Sequence, residues 1–271
     1  MQAIEFAHSS TAVRRVGPVS WTGLWTLYRK ELLRLRSVWL QTLLAPVVST
    51  LLFLVIFVAV FRRNPDYLTG ISFVEFIAPG LILMAVMQNA FANTSSSLLI
   101  GKVSGTIVDV LMAPLRPSEI VISYAGAAAT RGLVVGAAVW VLILPFGTVT
   151  PNDWPLTLLF AIAAALVFAL LGLVTGVFAT RMEHVAAASG LIVTPLTMLA
   201  GTFYSVSLLP DPVRLASLFN PVFYLIDGFR YAVTGRTEAA PILTVLVTIA
   251  LAVFFSAICV RMIAAGYRLK D

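Results

Sequence analysis

The chain has 271 residues, of which 60% are hydrophobic and 11% charged, whereas an ordinary soluble domain carries roughly 45–50% and about 25%. That leaves too little polar surface for a water-soluble globule, so lipid is the solvent for most of the chain. The net charge of +6 comes from short basic clusters at the ends of apolar runs, a placement that fits anionic headgroups and excludes a nucleic-acid patch.

Residues 1–19 form a polar extension with Arg14 and Arg15 and no apolar core, so no cleavable signal peptide is expected. From residue 20, Trp21, Leu24, Trp25, Tyr28, Leu32, Leu35 and Trp39 recur at offsets of three or four. On a helical wheel they fall within an arc of about 100°, with Lys30 and Arg34 facing the other way. Residues 20–37, which also carry Arg29, therefore read as an amphipathic helix lying in the cytoplasmic interface, its aromatics at headgroup depth. The alternative, a helix packed on a cytosolic domain, lacks such a domain.

A six-helix membrane domain is expected over 38–266, with spans at about 38–61, 76–97, 119–146, 155–179, 185–206 and 240–262, and a tail at 267–271. Each underlying run reaches the roughly 20 residues that a helix needs to cross about 30 Å of hydrocarbon. The runs are continuous, where a membrane barrel would alternate, so the fold class is all-α. Pro46, Pro79 and Pro195 fall inside them and are expected kinks. Trp154 fits an aromatic belt at the outer end of span four. Cys259 reads as a small apolar side chain in the last span.

Lysine and arginine placement sets the orientation. With the N-terminus inside, thirteen basic residues lie at the cytoplasmic side and five outside, so both termini are expected in the cytoplasm. Arg62 and Arg63, just after span one, pull the other way and are outweighed.

Two connections are longer than simple turns. Between spans two and three, a mixed stretch containing Lys102, Thr106, Asp109 and Arg116, interrupted by Gly101 and Gly105, is capable of a short exposed helix. Its length invites a partner; a helix capping the bundle is the rival. Between spans five and six, residues 202–236 are broken by Pro210, Pro212, Asn220 and Pro221. They read as short helices dipping into the outer leaflet and returning, or as an outer loop with one surface helix.

Much chemistry is absent. Gly101 and Lys102 are followed by Val103 without the glycine spacing of a phosphate loop, so the chain is not expected to hydrolyse ATP. The only histidines, His8 and His184, cannot form a metalloprotease site, and no G-x-S-x-G elbow occurs. No metal or cofactor is expected on this chain. Arg131 is the one ionisable residue well inside a span. At a helix centre it costs at least about 2.5 kcal/mol, so it snorkels, contacts a neighbouring segment, or touches substrate.

The motifs Phe76-Ile-Ala-Pro79-Gly80, Asn89-Ala-Phe-Ala-Asn93, Val110-Leu-Met-Ala-Pro114, Gly201-Thr-Phe203-Tyr204-Ser205, Asn220-Pro221 and Gly228-Phe-Arg230-Tyr231 stand in this order. Their ordered set resembles the ABC-2 type export permeases of bacteria over nearly the whole chain after residue 20. The resemblance implies a pair of six-helix subunits in the bacterial inner membrane, joined to two separate ATP-binding subunits that hold ATP and Mg. It implies ATPase contacts on residues 20–37, with Trp21, Trp25, Tyr28, Arg29 and Arg34, and on about 96–117, with Lys102, Thr106, Asp109 and Arg116. A minor contact falls on 181–185. Phe203, Tyr204, Ser205, Asn220, Pro221 and Arg230 would belong to outer re-entrant helices. Two rival functions stay open. A self-sufficient carrier or channel lacks a midplane carboxylate, and a lipid-modifying enzyme has only the sparse Arg131, Glu183 and His184. Spans rich in Ala, Val, Leu and Phe favour an amphipathic cargo, otherwise unknown.

Overall fold

Apolar runs in lipid must satisfy every backbone N–H and C=O internally, and helices do so within one segment. In the computed structural model, which describes residues 20–61, 72–147 and 149–268 (backbone only at 35–43 and 61), the runs are helical throughout. No strand occurs among the described residues. The helices are α1 (Trp21–Phe61), α2 (Phe73–Val103), α3 (Ile107–Met112), α4 (Pro117–Ile143), α5 (Trp154–Phe178), α6 (Met182–Ala188), α7 (Thr194–Thr197), α8 (Asp211–Phe219), α9 (Pro221–Thr234) and α10 (Pro241–Ala264). The polar extension 1–19, the Arg62 and Arg63 pair and the tail residues 269–271 lie outside the described residues.

Five stretches are long and apolar enough to cross a membrane: Phe73–Val103, Pro117–Phe146, Trp154–Phe178, Met182–Thr202 and Pro241–Ala264. The first expected span falls in α1, whose described apolar part is the shorter Leu44–Val60.

α2 is the central post. Of its most apolar stretch 78% is buried inside the protein, against 17% for α10, which turns Ile242, Leu246, Ile249 and Val253 outward. Lipid is as apolar as leucine, so close backbone approach rather than hydrophobic burial holds such helices together. Glycines supply it here. A Cβ on Gly172 of α5 would lie 2.4 Å from the Phe91 carbonyl oxygen of α2, and one on Gly132 of α4 would lie 2.7 Å from that of Val86.

The chain passes back and forth between two ends of this bundle. At one end α3 and the starts of α1 and α4 meet the end of α2, and Tyr267 and Arg268 after α10 pack on Phe178 at the end of α5. At the other, α9 meets the starts of α2 and α5, and α8 packs against α9. α1 reaches both, since Ser20 bonds Glu119 and Phe57 packs on Phe73.

The expected interfacial stretch 20–37 and first span 38–61 lie on one continuous helix: α1 runs for 41 residues, because residues 35–45 contain no glycine or proline to stop it. Arg34, placed on the polar face, instead turns toward α2 and donates to Ser97 Oγ at 2.9 Å. The fifth run is also less regular than a span of its length suggests. It enters π-helical turns at Ser189–Val193 and Met198–Thr202 on either side of the α7 turn that holds Pro195. Mid-helix π turns concentrate at functional sites.

Candidate functional site

The surface at the α3 end is built from three pieces of chain. Arg116 caps α4 just before Pro117, which sits where a helical N–H would be unpaired anyway. Glu119 then accepts from the Arg116 and Ser20 backbone N–H groups, each at 2.9 Å, tying the start of α1 to that of α4. Ser123 Oγ donates to the Leu24 carbonyl at 3.1 Å, and the hydroxyls of Tyr28 and Thr130 are 2.9 Å apart. Leu27 and Glu31 are buried one turn apart on the same face, whereas Trp21 and Trp25 are 72% and 60% exposed. The apolar arc read from the aromatics is therefore only half the packing face; the tryptophans stay outside and the Leu27–Glu31 side goes in.

Glu31 accepts a short hydrogen bond from Ser97 Oγ, the same hydroxyl that Arg34 reaches. On the neighbouring face Arg131 donates to Asn93 Oδ1. These groups join α1, α2 and α4 through charge-assisted bonds below the surface.

Gly105, at φ +74°, turns the chain from α2 into α3 in a conformation that side chains rarely adopt. α3 and the start of α1 then enclose a groove of about 420 Å³ whose walls include Thr26, Leu27, Lys30, Asp109, Val110 and Pro114. Beside it Val103 and Met112 are 74% and 80% exposed. Thr106, Asp109, Arg116 and Arg29 share this surface. Lys102 does not point into it: its ammonium donates to the Val177 and Ala179 carbonyls at 2.7 and 3.0 Å, closing the end of α5.

The other end is held by buried polar side chains. Asn220 accepts from Val222 N at 3.0 Å, capping α9, and donates to the Leu196 carbonyl at 2.6 Å. Gly201, at φ +73°, breaks the fifth run. Its freed carbonyl accepts from Arg230 Nη2 at 2.6 Å, while Nε donates to the Phe76 carbonyl at 3.3 Å. The guanidinium also lies 4.1 Å from the centre of the Phe76 ring. Asp227, one turn earlier and fully buried, accepts from Thr237 Oγ1 and from the Glu238 and Ala239 N–H groups, fixing the approach to α10. Ser205 Oγ pairs with Ser207 Oγ at 2.6 Å. Tyr204 is half-buried beside it.

Between the ends lies a second groove of about 420 Å³, walled by α1, α2 and the π-helical run. Toward α9 an aromatic cluster covers it, in which Phe203 stacks on Phe57 at 5.0 Å and tilts against Phe53 at 5.5 Å.

Residues 22–234, spanning α1 through α9, match the family model described as ABC-2 type transporter. The chain belongs to the ABC-2 type transporter family. Among ABC-2 relatives, the Inner membrane transport permease YadH of Escherichia coli strain K12 is 35% identical over 251 residues, 93% of this chain and 98% of that protein. Nodulation protein J of Rhizobium leguminosarum bv. trifolii is 27% identical over 226 residues, 81% and 83% of the two chains. Nodulation protein J of Rhizobium meliloti strain 1021 is 22% identical over 221 residues, 80% and 82%. An ABC-2 chain is the membrane permease part of an ATP-binding cassette transporter, which agrees with multi-pass apolar helices and with the missing phosphate loop.

Several site residues of this ABC-2 permease escaped sequence reasoning. Glu119 had a signal, a glutamate three residues into a helix opened by Pro117. Glu31 is spaced with Leu24, Leu27 and Arg34 along one helical face, but a face defined by aromatics hides it. Gln88, on the α2 wall of the central groove, and Asp227 gave none.

Proposed function

We propose that this chain is the membrane subunit of an exporter in the bacterial inner membrane, working as a homodimer driven by two ATP-binding subunits on separate chains. The N- and C-terminal ends lie in the cytoplasm, α1 provides the first of six spans, and the α3 end is the inward face. ATP and Mg belong to the partner. The observation that carries this is the α3-end surface: a groove beside the exposed Met112 and Val103, rimmed by Lys30 and Asp109, with the exposed Arg116 following its last lining residue Leu115. Interfaces concentrate affinity in an apolar centre with a polar rim, and an isolated permease gains nothing by exposing Met112 to water. Thr106 and Arg29 extend the rim. Lys102 acts indirectly by fixing the end of α5.

Closure of the ATPase pair would press on α3 and the start of α1. α1 is continuous and is cross-linked to α2 through Glu31, Arg34 and Ser97, so a push at its first turns reaches the central groove as a rigid tilt. The groove is one half of the transport path, completed by the second copy. α8 and α9 are re-entrant helices at the outer side, where Arg230 and Asn220 hold the broken end of the fifth run.

Co-purification tests this. The ATP-binding subunit is expected to come down with tagged permease and to be lost with Asp109→Arg combined with Met112→Glu. Undiminished recovery of the ATPase with that double variant would contradict the assignment of this face. The rival, a self-sufficient carrier, predicts ion-dependent flux in liposomes that hold this chain alone.

A further inference from the structure

Fourteen described residues line the central groove and none is ionisable. Its walls alternate apolar surface, from Phe53, Met84, Met198 and Phe203, with the neutral polar side chains of Ser49, Thr50, Gln88, Asn89, Ser189 and Thr194. A charged group moved into such a site from water would lose hydration that no opposite charge among the described lining residues replaces. An all-apolar molecule would strand the polar groups instead.

The polar side chains are not equivalent. Ser49 donates its hydroxyl proton to the Ala45 carbonyl at 2.8 Å and Thr194 to the Ser189 carbonyl at 3.0 Å, leaving their oxygens able only to accept. Gln88 lies midway along α2, half-buried, and its amide makes no hydrogen bond to the described residues. It offers two donors and an acceptor to whatever occupies the groove.

We propose that the groove takes a neutral amphipath, a hydroxyl- or amide-bearing polar group on an apolar body, and that Gln88 is the side chain that reads the polar group. This rests on the groove being part of the transport path. Water solvates Gln88 when the groove is unoccupied, so a molecule displacing that water must restore its hydrogen bonds to bind. Hydroxyls of a sugar or amides of a short peptide do this; a sulfate or quaternary ammonium on the same tail does not, because it arrives with a charge and no counter-charge.

The test uses the full chain in lipid nanodiscs with its ATP-binding subunit. Cys259 is replaced by alanine and exposed Ser49 by cysteine, so that one thiol reports on the groove. Its labelling by a small, water-soluble, uncharged maleimide is followed with octyl glucoside, octyl sulfate or octyltrimethylammonium present. Octyl glucoside is expected to slow labelling while the two charged octyl probes leave it unchanged. Gln88→Leu should require about tenfold more glycoside for the same protection, the loss of one to two hydrogen bonds. Gln88→Asn, which keeps the amide, should fall between. Equal unprotected rates in all three proteins show that the groove is intact. Equal protection by the three probes, or no effect of Gln88→Leu, would overturn the proposed cargo class and leave the path standing. A Ser49→Cys thiol that water-borne reagent never reaches would overturn the path itself, and the cargo class with it.

Discussion

Two arginines, Arg131 and Arg230, lie where a guanidinium is expensive, and each is accommodated differently. Arg131 reaches along α2 to Asn93 near the Glu31 and Arg34 pair, which supports the contact reading and removes the need for snorkelling. Arg230 is almost wholly buried and bonds two carbonyls, one of them freed by the break at Gly201. Removing it would leave buried acceptors unpaired, at about 1–3 kcal/mol each. Arg230→Ala should therefore lower the thermal unfolding midpoint of the purified permease, whereas Arg230→Lys, which keeps one donor in reach, should lower it less. Unchanged midpoints for both would show that the guanidinium does not hold the break. Glu31 and Ser97 make a second pair. A double-mutant cycle with Glu31→Gln and Ser97→Ala should give a coupling of about 0.5–3 kcal/mol; strict additivity would mean that the short bond contributes nothing. None of these partnerships was legible in the residues alone, because each joins positions tens of residues apart whose pairing only the packing decides.

Helices were far more legible than their contacts. A run of apolar residues in lipid has one solution, so five helices long and apolar enough to span fall where charge-free stretches placed them, and α3 arose in the stretch where Gly101 and Gly105 predicted an interrupted helix. What the residues did not show is that α1 is unbroken. Amphipathicity changes at about residue 37, but a change of face does not end a helix; only a breaker or a cap does. The π turns around Pro195 were equally hidden, since proline announces a kink without saying how the chain absorbs it. Packing of α5 on α2 is the strictest element contact. Gly172→Ala would push a methyl to 2.4 Å from a backbone oxygen that cannot swing away, and overpacking of this kind costs about 1–3 kcal/mol. The same change at Gly190, where nothing lies within 4 Å, should be tolerated. Comparing folded yield of the two variants checks this, and equal yields would contradict the close approach.

On the scale of the whole molecule, the structure separates three tasks along the bundle axis. A face with an exposed methionine and a mixed-charge rim sits at one end, a groove with no ionisable side chain among its described lining residues in the middle, and an arginine-clamped, aromatic-covered break at the other. The continuous α1 runs past all three, so under the proposed function it is the mechanical link through which the ATP-binding partner would act on the groove. Composition alone pointed to lipid, and the ordered motifs to an ABC-2 chain; the groove could not be read, since it forms where three separate segments, in α1, α2 and the π-helical run, come together. The central claim is that force enters through the α3 end from an ATP-binding chain. It is tested most directly by placing a single cysteine at Met112 or at Leu208, the latter beyond the fifth run, in permease lacking Cys259, and treating the intact membrane complex with a short thiol-to-amine cross-linker. Met112→Cys should give an adduct containing the ATP-binding subunit and Leu208→Cys none. An adduct from Leu208→Cys, or none from Met112→Cys in a complex that co-purifies, would contradict the account.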